Sequence, residues 1–155
     1  MKDLEWGIST WQLIHFIGEN IDENFYKNNK KEIVNMTKTI CFNLPCPHCA
    51  DHAKFYLRSI NYNVLDTKEK FKKLFYNFHN VVNKHLNKEE FKYEDLKKYK
   101  TYNLAIILNN FSIFYSKRYG NNLQLSLQSN QMTRRNISNK VLEWFKINKN
   151  NLSNS

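Results

Sequence analysis

Cys46 and Cys49 stand in the stretch LPCPHCADHAKFYL, Leu44 to Leu57. Two thiols three residues apart act together only if something turns them to one side, and a helix beginning at Pro47 does that. Proline is welcome in the first turn of a helix, where its missing N–H is no loss. Both sulfurs then face the same way and can close an easily reduced disulfide. The unpaired N–H groups and the dipole at the helix start favour thiolate, which is redox placement. A zinc site competes: Cys46, Cys49, His79 and His85 give four donors, although the interval between the pairs exceeds that of small zinc modules. A thioredoxin-type oxidoreductase also uses Cys-Pro-His-Cys. That fold needs a strand before the motif and a proline after it, whereas the residues before Cys46 have helical spacing and no proline follows Pro47.

A dithiol that hands electrons to a flavin needs a planar acceptor beside one sulfur. Gly7, Gly18 and Gly120 are too scattered to form G-x-G-x-x-G, so Rossmann-type FAD binding is excluded. Helices would have to hold the ring by stacking, imidazoles, amides and a lysine for the phosphates. Two segments supply that set. In WGISTWQLIH, Trp11 and His15 lie one turn apart on one face. In FHNVVNKHLNK, His79 and Asn83 share a face, Asn80 lies beside them and Lys88 follows at the helix end. Burying such polar groups without partners costs about 1–3 kcal/mol each. Either segment alone reads as core or surface; with the C-x-x-C between them, they read as a site.

The elements that must position these residues are helical. Three glycines and two prolines leave little punctuation for hairpins, and the apolar residues recur at three- and four-residue steps. Ser9 or Thr10 is expected to cap a first helix with the stripe Trp11, Ile14, Ile17, Ile21 and Phe25. A second is expected over 31–43, on Ile33, Met36 and Ile40, ended by Pro45. A fourth starts near Thr67 and carries Phe71, Leu74, Phe75, Phe78, Val82 and Leu86; a fifth region spans 93–119. The expected fold is all-α, a four-helix bundle with a short fifth helix. After Gly120 the composition turns to Asn, Gln and Ser before the amphipathic NKVLEWFKI. The organisation expected is therefore a helical domain over 1–119 and an Asn-rich extension over 120–155, which docks, assembles, binds a partner or stays partly disordered.

The totals bound the rest. A chain of 155 residues is one domain's worth and buries about two thirds of its unfolded surface. No apolar run approaches the roughly 20 residues of a bilayer span, and the N-terminus lacks the basic start and apolar stretch of a signal peptide; neither membrane nor secretion is expected. The formal net charge is +10, but the lysines are mixed with acids as on solvated helix faces, so nucleic acid is not the expected partner. The alternative from another class is a non-enzymatic helical protein binding zinc or nucleic acid.

The motifs G-x-x-T-W-x-L-x-H, C-x-x-C and H-N-x-V-N-x-x-L-x-K, in that order from Trp6 to Tyr102, resemble the Erv/ALR family of FAD-dependent sulfhydryl oxidases. The likeness is closest to the short forms encoded by large cytoplasmic DNA viruses. The resemblance implies FAD at the mouth of the bundle and a homodimer. It implies that Gly7, Trp11, His15, His79, Asn80, Val82, Asn83, Leu86 and Lys88 bind the cofactor, Trp11 and His15 on its adenine half. Cys49 would be the sulfur nearest the flavin, and Cys46 the one that exchanges with substrate thiols. The implied activity forms disulfide bonds in substrate proteins and passes electrons through flavin to oxygen, giving hydrogen peroxide.

Departures from the family pattern are specific. Glu19 stands where an aromatic often follows the first-helix histidine, Asn87 where glycine is common, and the late tryptophan has no match, leaving Tyr99 or Tyr102. Many members relay electrons through a second cysteine pair. Here the remaining thiol is Cys41, which reads as a small buried hydrophobe. Substrate is then expected to reach Cys46 directly or through a separate disulfide carrier protein. The family type implies the host cytoplasm or the virion as the place of action, since such viruses oxidise their own proteins in a reducing compartment.

Overall fold

The computed structural model describes residues 4–119 and 125–153, and in these the chain is helical. Six α-helices run in order: α1 (Glu5–Asn20), α2 (Glu23–Phe42), α3 (Pro47–Arg58), α4 (Lys68–His85), α5 (Leu104–Ser116) and α6 (Leu125–Asn148), with a 3-10 segment (Tyr93–Thr101) between α4 and α5. Among the described residues there is no strand, only an isolated antiparallel bridge between Ile21 and Leu152. The all-α expectation holds. The expected boundary at Gly120 lies outside the described residues.

α1 is the central rod. From Leu13 to Asn20 every residue is buried, the pattern of a helix surrounded by protein rather than one with a wet face. α4, α5 and the 3-10 segment all pack on it. The helix starts earlier than its cap residues suggested. Ser9 and Thr10 lie inside it, and their hydroxyls donate back to the Trp6 carbonyl at 3.1 and 2.6 Å, the local bond these side chains make mid-helix. Ile21 closes α1, and Phe25 belongs to α2. The second helix begins eight residues before the expected start at Lys31. Asp22 caps it by accepting from the Phe25 N–H at 2.8 Å, and a break in helical geometry at Asn29 separates this first part from the predicted stripe.

Two expectations at helix starts hold. Pro47 occupies the first turn of α3, with Cys46 as its cap, and Thr67 caps α4 through the Lys70 N–H at 3.2 Å. The fifth region divides into the 3-10 segment and α5, whose start is capped by Asn103. Over 130–153 the C-terminal extension is docked. Ile137, Val141, Trp144, Phe145 and Leu152 join the same buried cluster as Ile17, Ile33 and Phe111. Arg134, 2% exposed, donates from Nε to the Tyr115 carbonyl at 2.8 Å and from Nη2 to the Lys117 carbonyl at 2.9 Å. It thereby satisfies the carbonyls that α5 leaves open at its end.

Candidate active site

Cys46 and Cys49 form a disulfide with Cα atoms 5.2 Å apart. The Cys49 N–H donates to Cys46 Sγ at 3.2 Å, so the sulfur of Cys46 takes the place of a capping oxygen and sits where α3 concentrates its positive end. Both cysteines are half-buried.

Across α4 from this disulfide, the two imidazoles singled out in the sequence meet. His15 and His79 share a hydrogen bond, Nε2 to Nδ1, at 2.9 Å. The Trp11 ring lies on His79 with centroids 4.0 Å apart and planes within 6°. Burial lowers the pKa of His15 well below the imidazole range, with the charges of His79 and Lys98 adding to it. Burial likewise lowers His79 to about 3, helped by Lys88 and Lys98. Both rings are therefore neutral at pH 7, and each can donate from one nitrogen and accept at the other.

Phe78 joins the two halves of the site. Its ring, 2% exposed, meets Trp11 edge-on at 5.4 Å on one side and stacks on Tyr56 of α3 at 4.8 Å on the other. A continuous set of rings thus runs from the imidazole pair to the helix that carries the disulfide, and close packing of this kind fixes separation.

The remaining expected residues fall around this stack in different roles. Gly7 precedes Trp11 by one turn, and a Cβ there would meet nothing within 4 Å, so the open space beside it continues the face of Trp11 and His15. Asn80 points away from that face. Its amide donates to the Phe91 carbonyl at 3.0 Å and accepts from the Phe91 N–H at 3.1 Å, clamping the backbone so that the Phe91 ring covers His79 at 4.7 Å and His15 at 5.6 Å. Asn83 leans on Asn80 at 3.5 Å. Val82 is half-buried against the core and Leu86 is 37% exposed.

Lys88 is set by the end of α4. The Asn87 N–H donates to the Lys84 carbonyl and the Lys88 N–H to that of Asn83, the paired closure that needs a left-handed residue in between. Asn87 is that residue, with φ 56°. Asparagine therefore does here what glycine does in the family pattern, and Lys88 keeps its place.

The zinc alternative loses its donor set. Cys46 and Cys49 are bonded to each other, His79 is bonded to His15, and among the described residues no three His, Cys, Asp or Glu side chains are arranged to hold a metal. Glu19, which replaces an aromatic, is buried and forms an ion pair with Lys72 at 2.6 Å, without hydrogen-bond alignment at that oxygen. Tyr99 is the aromatic that closes the cluster on this side, 5.2 Å from His15 and stacked edge-on against Tyr102. Sequence reasoning missed Phe91, Phe78 and Tyr56 as parts of the site, since a single aromatic in a helical stripe carries no sign of which ring it meets. Two clefts, of about 570 and 320 Å3, open between the 3-10 segment, α5 and α6 and at the corner of α1 with the C-terminus; neither is lined by the residues of the ring stack or the disulfide.

The Erv1 / Alr family model matches residues 8–103, which takes in the ring stack, the disulfide and the Asn80 clamp. The chain belongs to the Erv1 / Alr family. It is 33% identical over 102 residues to protein 347L of Invertebrate iridescent virus 6, covering 57% of this chain and 87% of that one. It is 31% identical over 94 residues to the FAD-linked sulfhydryl oxidase of African swine fever virus (isolate Tick/Malawi/Lil 20-1/1983), 61% of this chain and 78% of that one. It is also 29% identical over 86 residues to protein 096R of Invertebrate iridescent virus 3, where the match takes 55% of this chain and spans a little over half, 58%, of its relative. No solved structure matches the chain. α5 and α6 both lie beyond the residues that the family model matches.

Proposed function

We propose that this Erv1 / Alr protein is an FAD-dependent thiol oxidase that makes disulfide bonds in substrate proteins through Cys46 and Cys49. The observation that carries the proposal is the pairing of a formed disulfide at the N-terminus of α3 with a neutral stack of imidazole and indole rings that is joined to the same helix through Phe78 and Tyr56.

The residues present fit FAD. Flat, uncharged faces at Trp11, His15 and His79 suit a planar heteroaromatic ring, the open space at Gly7 extends that face, and the charge of Lys98 reaches both imidazoles and that of Lys88 reaches His79, which suits a pyrophosphate nearby. Trp11, His15, His79, Val82, Asn83, Leu86 and Lys88 would hold the cofactor, while Asn80 acts through Phe91. Bound FAD supplies the electron acceptor for the reduced dithiol and passes the electrons to oxygen, giving hydrogen peroxide.

The chain's own sulfurs do the exchange. A substrate thiolate attacks Cys46, the Cys46–Cys49 bond breaks and Cys49 leaves as thiolate. The substrate's second thiol then attacks its own sulfur in the mixed disulfide, and Cys46 departs. The hydrogen bond from the Cys49 N–H to Cys46 Sγ stabilises that departing thiolate, as a helix N-terminus stabilises any anion.

Cys41 is buried and has no second thiol near it to form a relay. Thiol-bearing proteins or a separate disulfide carrier would therefore meet Cys46 itself, with oxygen as the other substrate and a homodimer as the assembly. The place of action in this reading is the host cytoplasm or the virion. The test is direct. The purified protein should be yellow, with flavin absorbance at about 450 nm, and Cys49→Ser should keep the colour while losing oxygen consumption driven by a dithiol. A colourless protein, or turnover in that variant, would refute the assignment.

A further inference from the structure

Three histidines cluster where the start of α3, which carries the disulfide, meets the end of α4, and neither the ring stack nor the exchange just described uses them. His48 lies between the two cysteines in the chain, and His52 follows Cys49 by one turn of α3. His85 is the last residue of α4. The packing of the two helices brings them together, with the His85 ring centroid 5.4 Å from His52 and 6.3 Å from His48. His52 rests on Phe78 at 6.2 Å and is half-buried, whereas His48 and His85 face solvent. The three imidazoles thus lie together along the first two turns of α3 and the end of α4. Three histidines on two helices make poor structural cement, since two of them are exposed.

We infer that His48, His52 and His85 form a proton-transfer site serving thiol–disulfide exchange at Cys46. The inference rests on the thiol oxidase reading and deepens it. Exchange needs a thiolate, and a free thiol near pH 7 is mostly protonated. In the first step an imidazole nitrogen takes the proton of the incoming thiol, the sulfur attacks Cys46, and the electron pair of the Cys46–Cys49 bond leaves on Cys49. In the second step the other substrate thiol attacks the substrate sulfur of the mixed disulfide, and the electron pair leaves on Cys46. The imidazolium then protonates Cys46. The substrate loses two electrons and two protons; the dithiol gains both electrons and one proton, and the second proton goes to solvent along the imidazoles.

The surroundings keep His52 able to accept a proton. Burial lowers the pKa of His52, followed by the charges of His85 and His48, so this ring is neutral at pH 7. Of the charged groups on the packed elements, Asp51 and Lys54 of α3 pair with each other at 3.7 Å. Lys38 of α2 is turned onto the Tyr62 ring at 4.1 Å, and Arg58 lies over Phe42 at 5.6 Å. Lys84 is the neighbouring cation on α4.

The experiment measures how fast dithiothreitol opens the Cys46–Cys49 disulfide in the purified protein without oxygen. Samples are quenched in acid, alkylated and weighed by mass spectrometry, a readout independent of flavin colour. In the triple variant H48Q/H52Q/H85Q the rate should fall about tenfold at about pH 6.5 and converge on wild type at about pH 9, where thiolate forms without help. The single variant H85Q, at an exposed position, should show a smaller loss with the same convergence, and added imidazole should restore its rate. A loss of equal size at every pH would assign the histidines to docking and overturn the proton-transfer role, as would unchanged rates. A wild-type disulfide inert to the dithiol at all pH values would instead sink the oxidase reading itself.

Discussion

Ser153 is bonded twice to Asn20: its N–H donates to the Asn20 carbonyl at 2.7 Å, and its hydroxyl bonds to Asn20 Oδ1 at 3.2 Å. The Asn20 amide in turn donates to the carbonyls of Phe16 and Tyr99 at 3.1 and 3.0 Å, and Tyr99 touches His15. One buried side chain therefore ties the end of the described chain to the wall of the ring stack. Leu152, 5% exposed, anchors the same strand-like end beside Ile21. Leu152→Ala should lower stability by about 2–3 kcal/mol, the cost of a buried leucine truncation at the mild end. It should also weaken flavin retention, because Asn20 and Tyr99 lose their backing. Thermal unfolding and the ratio of flavin to protein absorbance measure both. A melting temperature equal to wild type would show that the C-terminal end merely rests on the bundle.

Asn80 gives a second prediction. Its amide satisfies both backbone groups of Phe91, so Asn80→Ala leaves two polar groups unmatched and frees the ring that covers His79. The expected loss is about 1–3 kcal/mol of stability, together with weaker flavin binding. Asn80→Asp keeps the acceptor for the Phe91 N–H and removes the donor to its carbonyl, and should fall between. Urea unfolding of the three proteins orders them; an Asn80→Ala protein as stable as wild type would refute the clamp.

The parts of this site that were legible in the sequence are those whose residue types are rare in the role. Pro47 between two cysteines marked the start of α3, and Thr67 marked that of α4. His79, Asn80 and Asn83 broke an apolar stripe and so announced polar burial. What escaped notice depended on pairing at a distance. Ser9 and Thr10 have the chemistry of a cap, yet their hydroxyls find the Trp6 carbonyl one turn back, and nothing local decides between the two uses. Phe91 lies in a charged stretch, and only the amide of Asn80, eleven residues earlier, makes it part of the site. The role of Arg134 depends on carbonyls of α5 that no pattern in α6 reveals.

Asn87 tests how the end of α4 is made. At φ 56° a β-branched side chain clashes with its own backbone, at about 1–2 kcal/mol, whereas glycine is at ease. Asn87→Val should therefore destabilise by about that amount and Asn87→Gly should leave stability equal or higher. Since the same closure sets Lys88, the valine variant should also bind flavin less tightly. Calorimetry of the three proteins decides: equal melting temperatures for valine and glycine would mean that the left-handed turn is not retained in solution.

Acid should weaken the fold through the imidazole pair. In the folded protein the pKa of His79 is lowered from the ordinary imidazole value of about 6.5 to about 3, and that of His15 is lowered too, so between about pH 3 and 6.5 the unfolded chain binds more protons than the folded one. Stability then rises with pH through this window, is fully present above about pH 6.5 and is lost as pH falls toward 3. At about pH 4.5 the His79 contribution alone amounts to about 2–3 kcal/mol, two pKa units at 1.36 kcal/mol each. His79→Gln removes one of the two titrating groups and should flatten the dependence, leaving the part due to His15. Unfolding free energies of both proteins at pH 7 and pH 4.5 are compared. A glutamine variant with the full wild-type slope would show that the ring on Trp11 is protonated as readily in the fold as in the open chain, and the neutral stack would then have no basis.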